Sequence, residues 1–184
     1  MSHPEATVRT RTALDADAVG EAVTRMANQL VADLPDLEQL GLIGLPTRGV
    51  PLARRLAARL SEQKGSDFCP LIGQMDITFH RDDLSLRRPA PHITDVPFDV
   101  NGRTILLVDD VIFTGRSTRA ALDALHDLGR PQRILLAALI DRGHRMLPLH
   151  ADFVGATIET RFEETIYVKL KEVDGTDAVE VSVP

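Results

Sequence analysis

The chain of 184 residues is predicted to fold as an α/β protein, with a central, mainly parallel sheet flanked by helices. Short apolar runs recur without internal alternation, as strands covered on both faces do. Segments with apolar residues at helical spacing separate them, and Gly or Pro punctuates the junctions. No internal repeat and no linker-like stretch divides the chain, so residues 1–184 read as one domain.

Val19, Ala22, Val23, Met26, Ala27, Leu30 and Val31 mark one face of a first helix, which Asp15 or Asp17 would open as cap. A short strand over residues 40–45 ends at Pro46. Pro51 suits the first turn of the next helix, where Leu52, Leu56 and Leu60 give the apolar face. Arg54, Arg55 and Arg59 read as its solvated side. A third strand region covers 71–79, followed by chain interrupted by Pro89, Pro91 and Pro97. The turn signal Asn101-Gly102 precedes the uninterrupted run Ile105, Leu106, Leu107, Val108, and Ala120, Ala121, Leu122 and Leu125 mark the helix after it. Residues 134–140 form another buried strand, and shorter strands are expected near 153–156, 166–170 and 179–183.

Composition narrows the class. Hydrophobic residues make up 43% of the chain but aromatic ones only 4%, so a substantial core is expected and must be mainly aliphatic. The formal charge of −6 argues against a generally basic, nucleic-acid-coating surface; a local basic patch stays open, because 18 of the 21 cations are arginines and can be unevenly placed. A single cysteine, Cys69, excludes an internal disulfide and reads as a small buried or half-buried residue. No apolar run approaches a membrane span and the first residues do not form a signal peptide, so the expected location is cytoplasmic.

The most informative segment starts at Ile105. Asp109 and Asp110 follow the apolar run at its carboxyl end, where open α/β sheets bind ligands. Thr114, Gly115, Arg116, Ser117 and Thr118 then supply a flexible glycine, three hydroxyls and the N–H groups of a starting helix, a natural seat for phosphate. Two adjacent carboxylates beside such a seat are repulsive unless ribose hydroxyls donate to them or a magnesium ion bridges them. The plainer alternative is an acidic helix cap followed by a Gly-containing loop. The Walker and dinucleotide glycine patterns are both missing.

This block resembles the phosphoribosyl pyrophosphate motif of the type I phosphoribosyltransferases. The resemblance implies that Asp109 and Asp110 contact the ribose, that Val111, Phe113 and residues 114–118 line the seat of the 5′-phosphate, and that the fold carries a flexible flap and a small hood.

The loop Pro46-Thr47-Arg48-Gly49-Val50 also joins a strand to a helix, so it should open on the same sheet edge as Asp109. Gly49 permits close backbone approach, Thr47 brings a hydroxyl, and Arg48 brings a cation suited to phosphate oxygens. Alone it reads first as an ordinary strand-to-helix turn; beside the Asp109 motif it is similar to the family's pyrophosphate loop. The long stretch from Gln74 to Arg103 corresponds to the flap, with Arg81 as the expected pyrophosphate contact and Arg87 and Arg88 as further candidates. His80 could move a proton or simply be structural.

The blocks Asp-Ile-Thr-Phe-His-Arg-Asp-Asp-Leu, Leu128-Gly129-Arg130-Pro131, Asp141-Arg142-Gly143-His144-Arg145, Leu147-Pro148 and Ala151-Asp152-Phe153-Val154-Gly155 follow in order over nearly the whole chain. Together they resemble the PyrR family of pyrimidine operon regulators with uracil phosphoribosyltransferase activity. That resemblance implies conversion of uracil and phosphoribosyl pyrophosphate to UMP and pyrophosphate, with Mg2+ as cofactor held at Asp109 and Asp110. Arg48, Arg81, Asp109 and Asp110 carry the catalysis, and the base lies near Asp141 and Arg142.

It further implies a homo-oligomer, dimer or tetramer, and binding of operon leader mRNA through a face containing Thr24, Arg25, Asn28, Arg145 and His150. Asn28, His150 and Ala156 stand where other members often carry histidine, arginine and lysine, so this face is thinned. A purine or orotate phosphoribosyltransferase without an RNA role, and a non-catalytic RNA-binding nucleotide sensor, are the alternatives.

Overall fold

The computed structural model describes residues 9–65, 67–80 and 93–183. In chain order the elements are β1 (Arg9–Leu14), α1 (Ala16–Asp33), β2 (Leu40–Gly44), α2 (Gly49–Lys64), β3 (Leu71–Gln74), a 3-10 turn (Thr78–His80), β4 (Thr104–Ile112), α3 (Arg116–Leu128), β5 (Arg133–Asp141), β6 (Phe153–Thr157), β7 (Thr165–Lys169), α4 (Lys171–Asp174) and β8 (Ala178–Val183). Five strands form a parallel sheet in the order β3-β2-β4-β5-β6. The central strand β4 shows why its sequence is apolar throughout. Leu106 and Val108 join one core with α1 and α2, whereas Ile105 and Leu107 join a second core with Ala120, Ala121, Ala124 and Leu125 of α3. Alternate side chains of one strand therefore feed both layers.

Asp15, not Asp17, caps α1, its Oδ1 accepting the Ala18 N–H at 2.9 Å. The apolar stripe read from the sequence is the buried face of that helix, with Val31 packed partly against the same core.

The chain departs from the sequence reading in several places. The last two predicted strands, β7 and β8, leave the parallel sheet and form with β1 a three-stranded antiparallel sheet, in the order β1-β8-β7, which together with α4 makes up the small hood. β1 gave no signal because Arg-Thr-Arg-Thr carries no apolar alternation, and it pairs only with β8. The four residues of α4 bury nothing, so no helical stripe announces it. β3 stops at Gln74, not at residue 79: Asp76 accepts from the Thr78 N–H at 2.8 Å and its hydroxyl at 2.6 Å, and the chain turns. β4, in contrast, runs four residues past Val108. Cys69 is exposed rather than buried. Arg81, Arg87 and Arg88 lie outside the described residues, and among those described no helix is long and apolar enough to cross a membrane.

Candidate active site

The site grows from a step in the sheet. β2 ends opposite Val108, while β4 continues against β5 alone through Ile112 paired with Asp141. The Leu45 N–H still donates to the Val108 carbonyl at 2.9 Å, and the chain then turns through residues 46–48 into α2. A Cβ on Gly49 would collide with the Val108 carbonyl, and one on Gly44 would stand 2.5 Å from the Val50 Cα. These two glycines let the loop lie directly against the start of the Asp109 segment, on the same sheet edge, as the sequence suggested.

Asp109 and Asp110 are consecutive residues near the carboxyl end of β4. Each folds one oxygen back on the chain: Asp109 Oδ1 accepts the Asp110 N–H and Asp110 Oδ1 accepts the Val111 N–H, both at 2.9 Å. Asp109 lines a cleft of about 250 Å3 together with the 111–118 segment, Met146 and Phe162. Asp110 is not part of that lining; its charge is felt by Arg48, whose pKa it helps to raise.

Gly115 precedes α3 in the left-handed region at φ 91° and offers no side-chain cap, and among the described residues the one first-turn bond to a neighbouring side chain is the long one from the Arg116 N–H to the Thr114 hydroxyl, 3.5 Å. The first-turn N–H groups, which no intrahelical carbonyl can satisfy, are left at the cleft wall beside the hydroxyls of Thr114, Ser117 and Thr118. From behind, the N–H groups of Met146 and Leu147 hold the Thr114 carbonyl at 3.0 and 3.2 Å.

Arg145 is the brace of this corner. Its guanidinium donates to the carbonyls of Phe113 (2.7 Å), Gly143 (3.0 Å) and Leu149 (3.0 Å) and pairs with Asp141 at 2.6 Å, with a longer bond to Ile112. Its side chain is only 12% exposed. A residue assigned to an RNA face is thus spent on internal bonds between the 111–114 and 141–149 segments.

Arg142 is also committed. It lies over the Phe113 ring at 4.0 Å from the centroid and donates to the Thr160 hydroxyl and to the carbonyls of Arg161 and Glu164. Burial lowers its pKa, opposed by the charge of Glu164. Phe113, His144 and Phe162 form an aromatic cluster with centroids 5.3 to 5.9 Å apart, and Phe162 is half exposed at the cleft. Sequence reasoning missed Met146 and Phe162, since apolar residues in loops have no helical or strand periodicity to betray them.

At the other loop Thr47 is exposed, and Arg48 makes a two-point pair with Asp174 of α4, Nε to Oδ2 at 3.1 Å and NH2 to Oδ1 at 2.7 Å. That bond raises the pKa of Arg48 and lowers that of Asp174. Arg55 is not the solvated residue expected: it pairs with Glu172 at 2.6 Å and with Asp177 at 2.7 Å. Arg59 does face solvent, in an exposed pair with Glu62.

On α1, the Thr24 hydroxyl donates to the Gly20 carbonyl, Arg25 reaches the Gly155 carbonyl of β6, and Asn28 accepts from Gln63. His150 is exposed. Among the described residues no group of three or more His, Cys, Asp or Glu could hold a metal ion by itself.

The family described as the phosphoribosyl transferase domain matches residues 11–172, so the class defined by this sheet and its two loops is that of the phosphoribosyltransferases. The chain is 52% identical over 183 residues to the bifunctional protein PyrR of Deinococcus deserti, covering 98% of this chain and 96% of the relative. It is 51% identical over 168 residues to that of Chloroflexus aurantiacus, covering 90% and 91%. Accordingly, it belongs to the PyrR family of phosphoribosyltransferases. A solved hypoxanthine phosphoribosyl transferase from Trypanosoma cruzi shares the fold with TM-score 0.72 at 16% identity, covering 99% of this chain and 95% of that one.

Proposed function

We propose that the protein transfers the phosphoribosyl group of phosphoribosyl pyrophosphate to uracil, giving UMP and pyrophosphate, and uses the same pocket in the cytoplasm to sense uridine nucleotides for regulation of pyrimidine-operon mRNA. The observation that carries this reading is the cleft between Asp109 and the uncapped start of α3. Its volume and donors suit a ribose 5-phosphate, and its likeness to PyrR relatives at 51% and 52% identity favours uracil over purine or orotate chemistry.

Bond breaking at the anomeric carbon builds positive charge on the ribose and negative charge on the pyrophosphate, so no protein nucleophile is needed. The work falls to positioning and charge. The 114–118 donors fix the 5′-phosphate, Asp109 and Asp110 hold the ribose hydroxyls, and Arg48, with Arg81, meets the pyrophosphate. The base sits beside Phe113 and Phe162, read by backbone groups of the 141–143 turn, because the side chains of Asp141 and Arg142 are already bonded internally.

Two hard carboxylates without a third protein ligand fit magnesium only in a shell completed by substrate oxygens and water. When bound there it supplies positive charge to the departing pyrophosphate. For RNA, Thr24, Arg25, Asn28 and His150 remain the candidate face on a homo-oligomer. Its cations are few, so binding should be shallow in salt dependence.

The deciding assay incubates the protein with magnesium, phosphoribosyl pyrophosphate and each of uracil, hypoxanthine, guanine and orotate. UMP is expected; IMP, GMP or OMP without UMP overturns the uracil reading. A gel shift on the operon leader, with and without UMP, tests regulation, and an unshifted leader leaves an enzyme alone.

A further inference from the structure

The carboxylates of α4 and the chain after it face the core through arginines, but they do not all reach the same place. Glu172 and Asp177 both bind Arg55, in the middle of α2. Asp174 alone reaches into the loop before α2, where it binds Arg48. Asp174 is itself held by its own turn: its Oδ2 accepts the Leu170 N–H at 2.8 Å, and its N–H donates to the Leu170 carbonyl at 2.7 Å. Leu170 is fully buried, so the carboxylate is anchored to the core rather than carried on a loose loop.

The geometry of the pair is selective. Arg48 gives Asp174 the edge formed by Nε and one NH2 hydrogen. A guanidinium has five donors in a rigid plane, so the opposite edge, with NH1, stays available for a second anion. Held in this way, the plane cannot swing as an isolated loop arginine would, and Asp110 lies near enough for its charge to act on Arg48.

We propose that Asp174 is a positioning residue for the transfer reaction: it fixes the Arg48 guanidinium so that its outer edge receives the diphosphate of phosphoribosyl pyrophosphate and of the pyrophosphate product. This rests on the reading of residues 46–49 as the pyrophosphate loop. The hood thereby takes part in recognising the leaving group without touching it. Because Asp174 removes one charge-assisted arrangement of Arg48 from the set it could adopt, its effect is on the diphosphate and not on the base.

The test compares Asp174→Asn with Arg55→Ala in the full chain. The asparagine keeps the shape and one acceptor for the Leu170 N–H but loses the two-point pair. Its KM for phosphoribosyl pyrophosphate and its calorimetric Kd for pyrophosphate are expected to rise by on the order of tenfold, the scale of one charge-assisted hydrogen bond. KM for uracil should stay put. Arg55→Ala severs the other two pairs of the same segment but leaves Asp174 on Arg48; its Tm should fall while its Kd for pyrophosphate holds within about twofold.

Unchanged pyrophosphate affinity in Asp174→Asn, or an equal loss in Arg55→Ala, overturns the proposal, the second by showing that hood attachment alone matters. The calorimetric arm reads Asp174 without any turnover. A wild-type protein that binds pyrophosphate but makes no UMP therefore overturns the uracil reading only, whereas one that does not bind pyrophosphate overturns the loop assignment and this proposal together.

Discussion

The two ends of the site are built from different materials. At the α3 end, the cradle consists of backbone N–H groups, short hydroxyl side chains and the exposed Arg116, while Arg142 and Arg145 are turned inward to carbonyls. At the α2 end, the group proposed to bind the pyrophosphate is a full guanidinium, already paired with Asp174 and near Asp110. On the proposed chemistry the difference is apt. A 5′-phosphate keeps its charge throughout and needs a fixed seat of preorganised dipoles, whereas the pyrophosphate gains charge as the bond breaks and is best met by a mobile ion's worth of charge held in place.

The largest effect expected is at Asp109, the one carboxylate that lines the cleft. Asp109→Asn keeps the size and the bond to the Asp110 N–H but loses the charge facing the ribose. Turnover should drop by about 10²- to 10³-fold, the range seen when one preorganised electrostatic group is removed, with an unchanged melting curve. Wild-type turnover would show that the cleft wall does not act on the sugar.

Next comes the seam between the two ends. Gly49→Ala drives a methyl into the Val108 carbonyl, backbone against backbone, where neither partner can rotate away. Urea unfolding should show a loss of about 1–3 kcal/mol, and phosphoribosyl pyrophosphate binding should weaken beyond it, because the loop must lift away from the Asp109 strand. If stability falls while binding is kept, the two ends are more independent than their contact implies.

Arg145 separates structural from recognition roles at the cradle. Arg145→Ala strands Asp141 and several carbonyls that are largely shielded from water, so a loss of about 2–3 kcal/mol is expected by urea titration, toward the low end of broken buried pairs because both side chains retain some exposure. UMP formation and leader RNA binding should fall together. Arg25→Ala, on the outer face of α1, should reduce RNA binding alone. A fall in RNA binding without loss of stability in Arg145→Ala would restore that arginine to the RNA face.

These contrasts also show what a sequence can carry. The parallel sheet, the α1 stripe and the Asp109 block were legible because apolar runs and helical spacing record burial directly, and the motif is contiguous. Arg55 was misread and the internal bonds of Arg145 went unseen for one reason: an arginine in a polar stretch looks the same whether it faces solvent or internal acceptors. The partners that decide, Ile112 and Phe113 for one, Glu172 and Asp177 for the other, are some 30 or more than 110 residues away. β1 and α4 were silent because neither has an apolar face, and their positions come from pairing with β8 and from ion pairs.

The smallest effect, and the one that touches the α2 end alone, is in acid. Asp174, Glu172 and Asp177 each have a pKa below the ordinary carboxylate value, chiefly through hydrogen bonds from Arg48 or Arg55. A depressed folded-state pKa means that the unfolded chain binds protons first as pH falls. The stabilisation is therefore complete above the ordinary carboxylate values of 3.8 and 4.5 and is lost as pH drops through the lower folded values. Glu172 is 46% exposed, so its share is screened. Pairs of this kind contribute about 0.2–1 kcal/mol each. Melting curves between pH 6 and pH 3, both chosen as roughly spanning this window, should lose part of their acid slope in Arg55→Ala, because Glu172 and Asp177 then lose the partner that depresses them. An identical slope in the variant would mean that acid unfolding is governed elsewhere and that the charged hood contacts serve the loop rather than the stability of the fold.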